Sequence, residues 1–124
     1  MEIRVLTHSS QLADLRSMAK ESVDLKFNPK ATYLGAFTDD GEIMGVVAWM
    51  RVGKIIRYKT DCVLPQYRGM GVYTKLWAER EFLCENQATL TTAFCTPKSL
   101  GMYLAHGFKI VRDGDIKFVS RRNK

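Results

Sequence analysis

The chain is poor in the residues that staple a small fold or anchor it. Its cysteines, Cys62, Cys84 and Cys95, form an odd set with no C-x-x-C spacing. That argues against a disulfide framework and a cysteine-held zinc cluster, and it fits reduced thiols in the cytosol. No metal site is expected. The longest mostly apolar run, Ile43 to Met50, is far shorter than the ~20 residues of a membrane-spanning helix. The opening Met-Glu-Ile-Arg leads into a strand-like segment instead of a signal peptide, so a cytoplasmic location is expected. No Gly-Lys-Ser or Gly-Lys-Thr occurs, which excludes a nucleotide-hydrolysing P-loop. Linkers, internal repeats and low-complexity stretches are also missing.

What remains is one domain of 124 residues with a net charge of +6. Lys54, Arg57 and Lys59 cluster mid-chain, and Arg121, Arg122 and Lys124 lie at the end, reading as a solvated basic face with a frayed tail. That balance suits a nucleic acid, an acidic protein or a polyanionic small molecule. Polar–apolar alternation marks a strand from Glu2 to Leu6. Ser9 and Ser10 are candidate N-caps of a helix reaching about Lys26, with Leu12, Leu15, Ala19 and Val23 on its apolar stripe. Strands are expected over Tyr33–Phe37, Ile43–Val52 and Ile55–Val63, turned at Asp39-Asp40-Gly41 and Gly53. A helix from about Gly71 to Glu85, a strand over Leu90–Cys95 and a short helix between Pro97 and His106-Gly107 follow. Phe108–Val111 and Ile116–Val119 close the chain as a hairpin. The fold class is therefore α/β: a mixed, mostly antiparallel sheet with one parallel crossover pair and helices on both faces.

The densest signal is Val63-Leu64-Pro65-Gln66-Tyr67-Arg68-Gly69-Met70-Gly71-Val72, at a strand-to-helix junction. Unpaired N–H groups at a helix start, with no Cβ at Gly69 or Gly71, favour an anion, most often a phosphate. A dinucleotide fingerprint would need a third glycine where Val72, Tyr73 and Thr74 stand, and an earlier place in the chain. The pattern Q/R-x-x-G-x-G/A is met by Gln66 to Gly71. The segment thus resembles the acyl-coenzyme A loop of the GNAT N-acetyltransferase superfamily. A second stretch, Ser99-Leu100-Gly101-Met102-Tyr103-Leu104-Ala105-His106-Gly107-Phe108, resembles that family's last helix and following strand. The order of elements is similar over essentially the whole chain. Tyr73 stands where the family often has a small residue, and Thr96 where Asn often precedes the last helix.

The resemblance implies an enzyme, an acetyl-CoA-dependent N-acyltransferase. It would pass an acetyl group to a primary amine by direct attack in a ternary complex. The implied cofactor-binding residues are Cys62, Val63, Leu64, Gln66, Arg68, Gly69, Met70, Gly71, Val72, Tyr73 and Thr74. The N–H groups of Arg68 to Tyr73 would meet the pyrophosphate, and the backbone of Cys62 to Leu64 the amides of the pantetheine arm. Tyr103 matches the family's general acid; on the residues alone it reads as a buried aromatic of a short helix. For the base, Asp61, the only carboxylate of its strand, stands beside Glu42, His8 and His106. Cys62 and Cys95 are read as small buried hydrophobes, with no acyl-enzyme expected. The rival reading is a catalytically silent module of the same fold that binds nucleic acid or an acidic protein, as a monomer or homodimer.

Overall fold

The computed structural model describes residues 1–7 and 28–123. The expected helix from Ser9 or Ser10 to Lys26, and with it His8, lies outside the described residues. Seven strands form one sheet: β1 (Glu2–Val5), β2 (Thr32–Phe37), β3 (Ile43–Val52), β4 (Ile55–Val63), β5 (Leu90–Cys95), β6 (Lys109–Arg112) and β7 (Lys117–Arg122). Their spatial order is β1-β2-β3-β4-β5-β7-β6. Every neighbouring pair is antiparallel except β4–β5, joined through helix α1 (Val72–Cys84). Helix α2 (Pro97–Ala105) links β5 to β6. Among the described residues, no helix is long and apolar enough to cross a membrane.

β3 is central, and Ile43 to Ala48 are buried without interruption because both of its faces are covered. Val47 and Met44 pack with Val72 and Leu76 of α1. Val46 and Ala48 pack with Leu6, Tyr33 and Phe37 on the other face. α1 and α2 share one face of the sheet: Trp77 and Tyr103 meet edge-on at 4.8 Å, above Tyr58 and Val119.

The closing hairpin departs from expectation. β7 runs on to Arg122, and Arg121 is no frayed tail: its Nη1 donates to Glu81 Oε1 at 2.7 Å and its guanidinium lies over Phe108 at 4.6 Å. Phe108 precedes β6 and is buried against Tyr103.

A bulge in β4 decides which way its carboxylate points. Tyr58 faces α1, with its ring 5.6 Å from that of Trp77. Strict alternation would send Asp61 to the opposite face. However, β3 residues Val46 and Ala48 pair with Cys62 and Lys59, so β4 carries one extra residue there. Thr60 absorbs it at φ +60°, a conformation β-branched residues rarely adopt. The parity reverses, turning Asp61 toward α1 and Cys62 toward the opposite cluster.

Candidate active site

β4 and β5 pair only from Ile55–Leu90 to Tyr58–Ala93. Beyond the bulge the strands part, and a cavity of about 500 Å³ opens there, within the usual range for small-molecule sites. Its floor is the end of β4, Asp61 to Val63. One wall is the glycine loop and first turn of α1; the other is the start of α2, with Thr96, Lys98 and Ser99.

The loop is built by its own hydrogen bonds. Pro65–Tyr67 forms a 3₁₀ turn, in which Tyr67 N–H donates to Leu64 at 2.9 Å and Arg68 N–H to Pro65 at 3.3 Å. The helix begins with Lys75 N–H donating to Gly71 at 3.1 Å. Among the described residues, none of the N–H groups from Gly69 to Thr74 meets an acceptor in hydrogen-bonding geometry, and no side chain caps the helix. The unpaired run therefore starts one residue later than the sequence suggests, because the Arg68 amide is spent within the loop. Gly69 and Gly71 take φ of +77° and +81°, and a Cβ on either would meet nothing within 4 Å. Glycine is demanded by the backbone, and the space beside it is free for a ligand.

Of the residues expected to bind a cofactor, the structure brings Cys62, Val63, Arg68 and Gly69 to the cavity, together with Gly71, Val72, Tyr73 and Thr74. Leu64, Gln66 and Met70 are not on its wall: Leu64 packs on the core and Met70 is 63% exposed. Leu64 N–H donates to Met44 at 2.9 Å. By the alternation of an antiparallel pair, Cys62 also turns its backbone groups to β3 and Val63 turns its own to the cavity. There the Val63 carbonyl accepts Arg68 Nε at 3.2 Å.

Asp61 is the hub of a buried network that sequence reasoning did not foresee. Its Oδ1 accepts Arg80 Nη1 at 2.6 Å, and its Oδ2 accepts Arg80 Nη2 at 3.0 Å. Tyr103 donates its hydroxyl to the same Oδ2 at 2.8 Å, and Tyr73 donates there too. Arg80 is fully buried, stacked 3.9 Å from the Tyr58 ring, and donates again to Ala48 O at 3.0 Å. Burial opposes the charge on Arg80, but the carboxylate of Asp61 outweighs it and holds the group protonated. The signal was available: Arg80 sits on the same helical face as Leu76, Trp77 and Cys84, where a lone cation calls for a buried anion.

The other candidates lie elsewhere. Tyr103 is 1% exposed and not on the cavity wall. Glu42 accepts the Tyr67 hydroxyl at 3.3 Å, just before the start of β3. His106 Nδ1 contacts Met102 O at 2.8 Å, and its ring lies 4.7 Å from Trp77. Burial, with Asp61 adjacent, pushes the Cys62 thiol up to about 11, so it carries little thiolate at neutral pH. Among the described residues, no group of three or more His, Cys, Asp or Glu could hold a metal ion.

Burial and then Asp61 push the hydroxyls of Tyr73 and Tyr103 well above their ordinary value of 10.0. The native state thus keeps two protons that the unfolded chain releases above pH ~10. Their contribution is fully present below that pH and is lost as the pH rises, by about 1.4 kcal/mol per unit for each tyrosine. Urea unfolding between pH 8 and 11 is expected to show this fall, and Tyr103→Phe to make it shallower. An unchanged slope in the variant would contradict the assignment.

A family model described as an acetyltransferase (GNAT) domain matches residues 7–118. No curated protein matches the chain in sequence. Among solved structures, Escherichia coli ElaA superposes with a TM-score of 0.79 at 14% identity, covering 98% of this chain and 100% of its own. An acetyltransferase from Streptococcus agalactiae gives 0.74 at 21% identity, with 98% of each chain covered. The PaiA N-acetyltransferase of Thermoplasma acidophilum, solved in complex with coenzyme A, gives 0.70 at 15% identity, covering 99% of this chain and 100% of its own. At these identities the structures speak for the fold.

Proposed function

The chain belongs to the GNAT acetyltransferase family, and from that premise we propose that it transfers an acetyl group from acetyl-coenzyme A to a primary amine, with both substrates bound together. One observation carries the reading: the amides of Gly69 to Thr74 meet no acceptor among the described residues, and all of these residues but Met70 line a cavity. The loop stands beside the place where β4 and β5 part, which leaves room for an extended arm. A helix start of this kind carries roughly half a positive charge, and Arg68 adds a cation. Both suit a pyrophosphate. Val63 is the residue of β4 that offers its backbone to an amide-bearing chain.

An amine must lose its proton before it can attack. For a lysine-like amine of pKa ~10.4, exposing the lone pair at pH 7 costs about 4–5 kcal/mol. Asp61 is engaged on both oxygens, so its role in this reading is to position the two tyrosine hydroxyls. Tyr103 holds Asp61 from the interior. The amine's proton leaves through the open mouth of the cavity to water. The rate at subsaturating amine is accordingly expected to rise about tenfold per pH unit from 6 to 9. A plateau beginning near pH 7 would reveal a built-in base and overturn this part of the reading.

The direct test is calorimetry with coenzyme A and acetyl-coenzyme A, followed by thiol release with polyamines, aminoglycosides and peptides as acceptors. Saturable binding and acceptor-dependent release support the reading. Failure to bind at millimolar ligand refutes it. Binding without transfer to any amine, together with salt-sensitive retention of nucleic acid, would favour a silent binding module.

A further inference from the structure

The network around Asp61 holds more donors than it needs. A carboxylate oxygen offers about two lone-pair directions. Asp61 Oδ2 receives three donors: Arg80 Nη2 at 3.0 Å, the Tyr103 hydroxyl at 2.8 Å and the Tyr73 hydroxyl. One of them is surplus. Arg80 is fixed by its second bond to Oδ1 and by Ala48 O. Tyr103 is enclosed edge-on by Trp77 at 4.8 Å and Phe108 at 5.0 Å, and is off the cavity wall. Tyr73 and Asp61 are both on that wall. The hydroxyl free to change acceptor is therefore that of Tyr73, on the first turn of α1, below the unpaired amides.

We propose that Tyr73 is the group that receives the leaving sulfur of the thioester, its hydroxyl turning from Asp61 Oδ2 to the developing thiolate. The proposal rests on the acyl-transfer reading above. In the step, the amine nitrogen forms a bond to the carbonyl carbon and the carbon–sulfur bond breaks, leaving its electron pair on sulfur. Tyr73 donates a hydrogen bond and keeps its proton. A phenolate there would be buried against Asp61, which burial and that carboxylate both oppose. The amine's protons leave to solvent, and the thiolate takes one from solvent on release. Asp61 is not stranded, because Arg80 and Tyr103 remain on it. The ionisable groups facing Tyr73 are Asp61 from β4, Arg80 from its own helix and Tyr103 from α2.

The test reads the thiol of bound coenzyme A, free of turnover. Ultraviolet thiolate absorbance across a pH series gives its pKa on the protein. In the unaltered protein that value is expected to lie about one to two units below that of free coenzyme A, the effect of one hydrogen bond to a charged acceptor. Tyr73→Phe should return it to the free value and slow transfer by roughly 10- to 100-fold. It should change coenzyme A affinity less than about threefold, because the amides of residues 69–74 are untouched. Tyr103→Phe should move the thiol pKa by no more than a few tenths. A wild-type thiol with no downward shift overturns the proposal without any variant. So does a shift that survives Tyr73→Phe, or one that Tyr103→Phe abolishes instead. Failure of coenzyme A to bind at all would instead remove the acyl-transfer reading beneath it.

Discussion

Gly71→Glu is expected to lower coenzyme A affinity by at least ~100-fold while leaving a cooperatively folded protein. Gly71 holds φ +81° and ψ +8° at the N-cap of α1. Any residue with a Cβ carries about 1–2 kcal/mol of left-handed strain there. A Cβ at this point enters open space, so the fold can accommodate the side chain. That same space is where a pyrophosphate would meet the amides of residues 69–74. A carboxylate beside it, at ~4 Å and an effective dielectric near 20, adds about 4 kcal/mol of repulsion. Gly71→Ala separates the two causes, because it puts a Cβ in the ligand's space without the charge, and about a tenfold loss is expected. Calorimetry on both variants checks this, with thermal melts as the control. Near-normal affinity in Gly71→Glu would mean that the anion sits elsewhere.

The second large effect concerns the pair beneath the cavity. Arg80→Leu is expected to destabilise the protein by about 3–5 kcal/mol, because Asp61, 6% exposed, would stay behind as an unpaired buried charge. In a domain of this size that corresponds to a fall in melting temperature of roughly 15 °C. Two tyrosine hydroxyls would still donate to Asp61, but neither neutralises it. Adding Asp61→Asn removes the stranded charge and keeps an acceptor for those hydroxyls. The double variant should therefore recover at least half of the loss. Strict additivity of the two substitutions in urea unfolding would show that the pair is not coupled. A loss below ~1 kcal/mol for Arg80→Leu alone would place the ion pair in water, against its burial.

The central strands were legible because their patterns are strong and bounded by turn residues. β3, β4 and β5 begin and end where their sequence patterns indicate, with Gly53 between the first two and Pro97 just after the third. The loop between β4 and α1 was legible for a similar reason: Gly69 and Gly71 are needed at positive φ, and Pro65 marks the turn before them. β7 was read short because Arg121 and Arg122 look like a solvated tail, whereas Glu81 draws Arg121 onto the sheet. The orientation of Asp61 was out of reach. It depends on Thr60 in a left-handed conformation, a choice the pairing of β3 with β4 imposes and no residue type announces. The contact between Tyr73 and Asp61 was hidden by the same fact, since the hydroxyl finds the carboxylate only after the strand has changed parity.

That single extra residue makes β4 a ruler with an offset. Counting from the hairpin at Gly53, even positions up to Tyr58 look toward α1, and after Thr60 the odd ones do. Deleting Thr60 would shorten the strand by one step and return it to strict alternation, with the acid still toward α1 and the cysteine still away from it. Straightening the strand with Thr60 retained is what would bring the thiol to the guanidinium and drive the carboxylate among Leu6, Tyr33 and Val46. In an alignment of sequences that share this fold, a one-residue gap at Thr60 therefore leaves the cavity floor as it is, whereas equal length without the bulge marks a change of chemistry there.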